Sequence, residues 1–168
     1  MPLTKIKSLG ITDGTITGDD INSTFNLTGK TVTLPAGVGG KVLQVLSATD
    51  STERTTTSTS FVTGSNTLSV TITPANTSSK FFLCCSTQAT ADSQFALTLF
   101  RGATNLGHST VGFVDNFPLD TTMTYLDSPN TSSAITYQFY MRTTNAVDAV
   151  KLRGNGRINA LTVFEIAG

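Results

Sequence analysis

The alternation that decides the fold reads ITYQFYM, from residue 135 to residue 141. Every second side chain, beginning at Ile135, is large and apolar or aromatic, and the intervening positions carry Thr, Gln and Tyr. A period of two places these sets on opposite faces of an extended strand. The same pattern recurs in residues 68–72 and 95–99. The sequence therefore predicts a series of half-buried β-strands.

The composition supports an all-β fold for most of the chain. Its 168 residues include 32 Thr and 16 Ser but only two Glu, a balance that favours pleated strands over helices. Charged residues make up 13%, roughly half of the ~25% in an ordinary domain. Short strands with regular turn signals predict an antiparallel β-sandwich or jelly roll of about eight strands. A small closed barrel is the alternative.

The first forty residues differ from the rest. Their apolar residues are sparse and separated by Gly, Thr and Asp, so they cannot offset an ordering cost of about 1–2 kcal/mol per residue. We predict an extended N-terminal arm and hinge at 1–40 and a sandwich body at 41–168. The arm is expected to contact a partner or neighbouring subunit through its apolar residues, which are Leu3, Ile6, Leu9, Ile11, Ile16 and Ile21.

The last predicted strand, at residues 158–166, carries apolar side chains on both faces. Leu161 and Val163 share one face with Glu165, and the other face includes aromatic and aliphatic groups. An apolar outer face is normally buried against another subunit. A central strand covered on both sides within one subunit explains the pattern equally well. The predicted subunit-interface residues are Tyr137, Phe139, Met141, Phe164 and Ile166.

The turn residues predict how the end of the chain is connected. A Gly-Asn-Gly sequence at residues 154–156 lies between apolar runs at 147–152 and 158–166. Glycine and asparagine are typical of tight hairpin turns, because they adopt positive φ readily. The sequence therefore predicts a hairpin that pairs these two strands.

No motif in the sequence indicates catalysis or a cofactor. The formal net charge is zero, which disfavours nucleic acid as a partner, and no apolar run reaches the ~18 residues that membrane insertion needs. His108 is the single histidine, too few ligands for a zinc site. The adjacent Cys84 and Cys85 would face opposite sides of a strand, so we expect free thiols. We expect no enzyme, no cofactor and no metal.

Seven short segments of the body occur in a shared order, at residues 40–45, 68–74, 78–80, 100–102, 126–129, 136–137 and 160–166. Together they resemble a β-domain of virion proteins in marine tailed bacteriophages. The domain occurs in capsid decoration (cement) proteins and in tail-fibre-like proteins. Three segments near the N-terminus, at residues 3–6, 14–16 and 19–21, are also similar to the start of phage fibre-like proteins.

The resemblance implies a non-enzymatic virion structural protein with a trimeric jelly-roll body, assembled in the host cytoplasm. The arm is too short for a fibre shaft, which favours a capsid decoration or cement protein, or a short head fibre. Residues 2–30 would then clamp the major capsid protein or other virion proteins. The alternative is a tail-fibre or tail-tip protein that recognises a host surface glycan or protein through polar loops at 55–60 and 104–109. A polysaccharide depolymerase is disfavoured by the shortage of Glu.

Overall fold

The computed structural model describes residues 41–107, 110–113, 117–154 and 156–168, with only the backbone of 110–113. Within these ranges the chain forms twelve β-strands in two antiparallel sheets. The predicted all-β sandwich is confirmed, and the closed barrel is wrong because the strands divide between two sheets. No helix in the described ranges is long and apolar enough to cross a bilayer. The predicted arm at 1–40, with all six of its apolar contact residues, and His108 lie outside the described residues.

Sheet A contains six strands. They run in the order β1, β12, β5, β11, β2, and β9 pairs with β5 as well. The strand bounds are β1 (Val42–Asp50), β2 (Arg54–Thr56), β5 (Lys80–Ala91), β9 (Leu119–Asp127), β11 (Val150–Leu152) and β12 (Asn159–Ile166). The long strand β5 is therefore the centre of this sheet.

Sheet B also contains six strands, and its centre is the strand whose alternation the sequence shows most clearly. That strand, β10, pairs with β3, β4 and β6, and β6 also pairs with β7 and β8. The strand bounds are β3 (Val62–Thr63), β4 (Ser69–Ile72), β6 (Gln94–Arg101), β7 (Thr104–Asn105), β8 (Thr110–Phe113) and β10 (Ile135–Thr143). The count exceeds the predicted eight by four, because β2, β3, β7 and β8 are short strands of two to four residues.

The hydrophobic core fills the space between the sheets. Tyr137, Phe139 and Met141 of β10 are at most 1% exposed, and the Tyr137 ring lies 5.8 Å from the ring of Phe81 on β5. Burying a large apolar side chain stabilises a fold by about 1.5–3 kcal/mol. The interface prediction needs correction for these three residues, because the chain's own opposite sheet already covers them.

The predicted hairpin between the last two strands is wrong. Strand β11 pairs with residues 89–91 of β5, and β12 pairs with residues 80–86 of the same strand. The turn after β11 packs instead against the chain between β1 and β2. A Cβ at Gly154 would stand 2.5 Å from the backbone oxygen of Ser51 and from the nitrogen of Glu53, so only glycine permits this approach.

Candidate functional site

A buried charged cluster joins the two sheets, and we call it the Arg101 clamp. Arg101 ends β6 in sheet B, and Asp127 ends β9 in sheet A. The Arg101 Nη1 donates hydrogen bonds to both carboxylate oxygens of Asp127, at 2.7 and 2.8 Å. The Tyr137 hydroxyl donates to Asp127 Oδ2 at 2.7 Å. The carboxylate is thus paired in charge and satisfied by three hydrogen bonds, as burial requires.

The clamp keeps Tyr137 as a hydrogen-bond donor. Burial, the hydrogen bond to Asp127 and the negative charge of that carboxylate all raise the pKa of Tyr137 well above its usual range. The positive charge of Arg101 opposes this only in part. The raised pKa favours the protonated phenol, which is the form that donates the hydrogen bond to Asp127.

Sequence reasoning did not identify the clamp. Its three residues lie in separate segments of the family resemblance, at 100–102, 126–129 and 136–137. The sequence did contain a signal for the clamp. Arg101 and Asp127 each stand at the end of a predicted strand, and Tyr137 occupies a core position of a third strand. Only the packing of sheet A on sheet B shows that these residues meet.

A groove opens beside the clamp. It has a volume of about 400 Å³, within the range of roughly 300–1,000 Å³ that small-molecule sites occupy. One wall comes from the end of β6, and the other comes from the connection between β9 and β10. The lining residues are Arg101, Gly102, Pro129, Thr131, Ala134, Ile135 and Thr136.

Asp50 is a second buried carboxylate, and its partners are the loops beside it. It accepts hydrogen bonds from the Ser65 hydroxyl, from the Thr52 N–H at 2.8 Å and from Arg54 Nε at 3.3 Å. Burial alone would raise the pKa of Asp50. The hydrogen bonds from Ser65, Thr52, Thr67 and Arg54 outweigh this and hold the pKa far below its usual range.

Glu165 is a third buried carboxylate, fully inaccessible to solvent on the inner face of β12. The Ala75 N–H donates to its Oε1 at 2.7 Å, and the Gln44 amide donates to its Oε2. Burial would raise the pKa of Glu165, but the surrounding Ser79, Gln44 and Ala75 groups lower it below its usual range. These contacts of Glu165 connect the segment after β4 to sheet A. Glu165, like Asp50, therefore has a structural role.

Both carboxylates make stability depend on pH. Because the folded pKa lies below the unfolded values of about 3.9 for Asp and 4.3 for Glu, their stabilisation is complete above pH ~5 and is lost as the pH falls through the folded pKa. We expect Asp50→Asn and Glu165→Gln each to cost about 1.5–3 kcal/mol at pH 7 and to flatten the acid side of the stability curve. Urea unfolding from pH 7 to pH 2.5 measures this.

The matched control for this experiment is Asp92→Asn, which changes an exposed carboxyl on the turn between β5 and β6. A surface change of this kind is expected to stay within about 0.5 kcal/mol. A contrary result is a free energy of unfolding that falls with decreasing pH as steeply in the Asp50 and Glu165 variants as in this control. In that case the two buried carboxylates would not be the cause of the pH dependence.

The outer face of sheet A carries an exposed apolar row. The strand register places Val45, Phe164, Phe82 and Leu126 side by side across β1, β12, β5 and β9. Val45 is 49%, Phe82 37% and Leu126 54% exposed. The rings of Phe82 and Phe164 lie 6.1 Å apart. This apolar row is a contiguous apolar patch that is partly exposed to solvent, and such patches mark sites of contact with other molecules.

The part of the outer face next to this row is also uncharged, between Lys80 at one end and Asp120 at the other. The next two register positions hold only small side chains, which are Ser47, Thr162, Cys84 and Thr124, then Thr49, Ala160, Ser86 and Thr122. The outermost strand β1 also exposes Val42, which pairs with Ile166 of the outer face, by 51%. A surface without Lys, Arg, Asp or Glu over three successive registers of four strands is unusual for a solvated face.

The structure separates the residues that the sequence grouped at a subunit interface. Phe164 and Ile166 are half-buried on the outer face of β12, whereas Tyr137, Phe139 and Met141 are in the core. The two cysteines are free and face opposite sides of β5, with Cys84 half-buried outside and Cys85 buried inside. Burial, with the neighbouring Cys84, raises the pKa of the Cys85 thiol to about 12, so this thiol is unreactive.

No group of three or more His, Cys, Asp or Glu side chains within the described ranges is arranged to hold a metal ion. The titratable groups of the clamp and of the two carboxylates all bond to the chain's own atoms. The geometry therefore offers one groove with a fixed guanidinium and one apolar sheet face, and we consider these two features as the candidate sites.

Known protein families give no match to this chain, and no curated protein matches it either. Fifteen solved chains are similar in structure. One is the crystal structure of the infectious bursal disease virus VP2 subviral particle, at 11% identity and a TM-score of 0.38, with 89% of this chain and 46% of that chain covered. The match thus covers less than half of the VP2 chain. A similarity at this level carries no inference about function.

Proposed function

We propose that the protein is a non-enzymatic structural component of a virion, which forms a homotrimer and decorates the capsid as a decoration or cement protein, or as a head fibre. The observation that carries the proposal is the apolar row on the outer face of sheet A. An enzyme needs a cleft with reactive groups, whereas a protein that assembles needs a surface that is more stable when covered.

The character of this surface favours a second copy of the same chain as its partner. In a homotrimer the same surface of three copies can converge on the three-fold axis, and uncharged residues there meet without the like-charge repulsion that would cost stability. Phe164 and Ile166, which the sequence assigns to the interface, lie on this face. The sequence resemblance supports the virion and the trimer, and residues 2–30 would anchor the trimer to the major capsid protein or another virion protein.

The competing proposal is a tail-fibre or tail-tip protein that recognises a host surface glycan or protein. Of its two predicted loops, residues 55–60 include the short edge strand β2, and the loop at 104–109 includes β7 and residues outside the described ranges. Immunogold labelling of intact particles distinguishes the two proposals. Gold over the head supports decoration, and gold at the tail supports adsorption to the host.

Binding to undecorated capsids of the source virus tests the decoration role directly. We expect saturable co-sedimentation of the full chain, and we expect deletion of residues 2–30 to weaken binding by more than about tenfold, or ~1.4 kcal/mol. A variant with the arm's six apolar residues changed to Ser keeps the arm length and should lose binding as well. Circular dichroism checks that both variants retain the sandwich.

Two results would contradict this proposal. Absence of saturable binding by the full chain would exclude capsid decoration. Unchanged binding by the deletion variant would show that the arm is not the anchor, although the body would then still contact the capsid.

A further inference from the structure

The groove beside the Arg101 clamp has features of a small-molecule site that the proposed virion role does not use. Its guanidinium is held in place before any ligand arrives, because Nη1 is fixed by both oxygens of Asp127. That carboxylate is fixed in turn by the Tyr137 hydroxyl. A donor group that is already ordered loses little conformational entropy on binding, which favours affinity.

The clamp leaves part of the guanidinium unused. Among the described residues, Arg101 makes its hydrogen bonds through Nη1 alone, so the Nε–H and Nη2–H groups remain as donors. The side chain is 29% exposed, and Arg101 lines the groove. These two groups form the planar fork of a guanidinium, which binds a pair of acceptor oxygens.

The backbone around the groove is also well determined. The Gly102 N–H donates to the Thr136 carbonyl oxygen at 2.8 Å, which ties the turn after β6 to the start of β10. Gly102 has a φ of 55° and Asn130, on the opposite side, a φ of 51°. Glycine and asparagine adopt this left-handed conformation most readily. The two residues at these positions can therefore hold the backbone of the groove walls without strain.

The charge and polarity of the lining indicate the ligand class. Asp127 compensates the charge of Arg101, so the groove has donors but little net positive charge to attract an anion. Three apolar residues, Pro129, Ala134 and Ile135, lie beside these donors, together with Thr131 and Thr136. The two threonine hydroxyls are already bonded within the chain. A neutral ligand that carries both hydroxyl oxygens and C–H surface matches this combination.

We propose that the groove binds a neutral saccharide unit, whose hydroxyl oxygens accept hydrogen bonds from the free Arg101 donors and whose C–H face lies on Pro129, Ala134 and Ile135. The inference stands apart from the proposed virion role, since it rests on the clamp and not on the apolar row. Within the described ranges, the groove and the apolar row share no residue.

The test is a titration of the full chain, labelled with nitrogen-15, by two-dimensional NMR. The probes are D-glucose, D-galactose, D-mannose and N-acetyl-D-glucosamine, with D-glucuronate and inorganic phosphate as anionic counterparts. We expect saturable amide shifts around Gly102, Thr131 and Thr136 with at least one neutral sugar, at a Kd of about 1–10 mM. Shifts that saturate only with glucuronate or phosphate would overturn the neutral-saccharide assignment.

The variant Ala134→Trp fills the groove and should weaken sugar binding by more than about tenfold. Ala134 is exposed, so the fold tolerates a larger side chain there. The matched control is Ser132→Trp, which adds the same ring two residues away on the same connection, outside the lining. The proposal is overturned if no neutral sugar gives saturable shifts, or if both tryptophan variants bind as the unaltered chain does.

Discussion

Replacing Asp127 by Ala is expected to destabilise the protein by about 3–5 kcal/mol. Among the described residues, the change removes the only acceptor of Arg101 Nη1 and of the Tyr137 hydroxyl. Tyr137 has no exposure to solvent, so its hydroxyl would lose a hydrogen bond without gaining one from water. The free energy of unfolding in urea measures the effect, which is a large share of the 5–15 kcal/mol of a typical domain.

Two further variants show whether this loss belongs to the clamp. Tyr137→Phe removes one hydrogen bond and should cost about 1–1.5 kcal/mol. Asp120→Ala changes an exposed carboxylate on the same strand, whose partner is Gln88, and should cost below about 1 kcal/mol. If Asp127→Ala cost no more than Asp120→Ala, the clamp would not contribute to stability.

The same substitution at two phenylalanines, Phe139→Asp and Phe164→Asp, is expected to give opposite results. Phe139 is buried between the sheets, and losing its ring costs about 3–5 kcal/mol before the burial of a charge is added. We therefore expect Phe139→Asp to be unfolded or insoluble. Phe164 is half-buried on the outer face, where aspartate can reach water, so we expect Phe164→Asp to fold.

The folded Phe164 variant then tests the proposed homotrimer. Loss of the ring pair with Phe82 costs about 0.5–1.5 kcal/mol within one subunit, but a charge buried in each copy of an apolar interface should convert the trimer into a monomer. Light scattering with size-exclusion chromatography gives the mass. A Phe164→Asp protein that remained a trimer would show that the apolar row is not the interface, and a folded Phe139→Asp protein would contradict the core assignment.

Alternation along the chain was sufficient for several of the main strands, but not for the short ones. The period of two at Leu68, Val70 and Ile72 predicted β4, and the split of Leu161 and Val163 from Phe164 predicted the two faces of β12. This works because the pleat sends neighbouring side chains to opposite faces whatever the strand pairs with. Alternation does not say which covered face belongs to the core and which to a second subunit.

That limit explains the errors in the predicted interface. Tyr137, Phe139 and Met141 show the same apolar alternation that a subunit contact would show, and only the position of sheet A over them identifies the core. The sequence at residues 154–156 is typical of a hairpin, yet β11 and β12 each pair with β5, and Gly154 packs on the chain near Ser51. Which strands pair depends on contacts between residues far apart in the chain. The local preference of a few turn residues carries no information about these contacts.

Period and composition are local properties of the chain, so they were enough to predict an all-β body and the positions of its main strands. The tertiary structure decided which residues meet. Arg101 and Asp127 are 26 residues apart in the chain, and Asp127 and Tyr137 are 10 apart, yet the packing of the sheets makes them one cluster beside a groove. The apolar row arises in the same way, because four separate strands contribute one residue each and only their register aligns them.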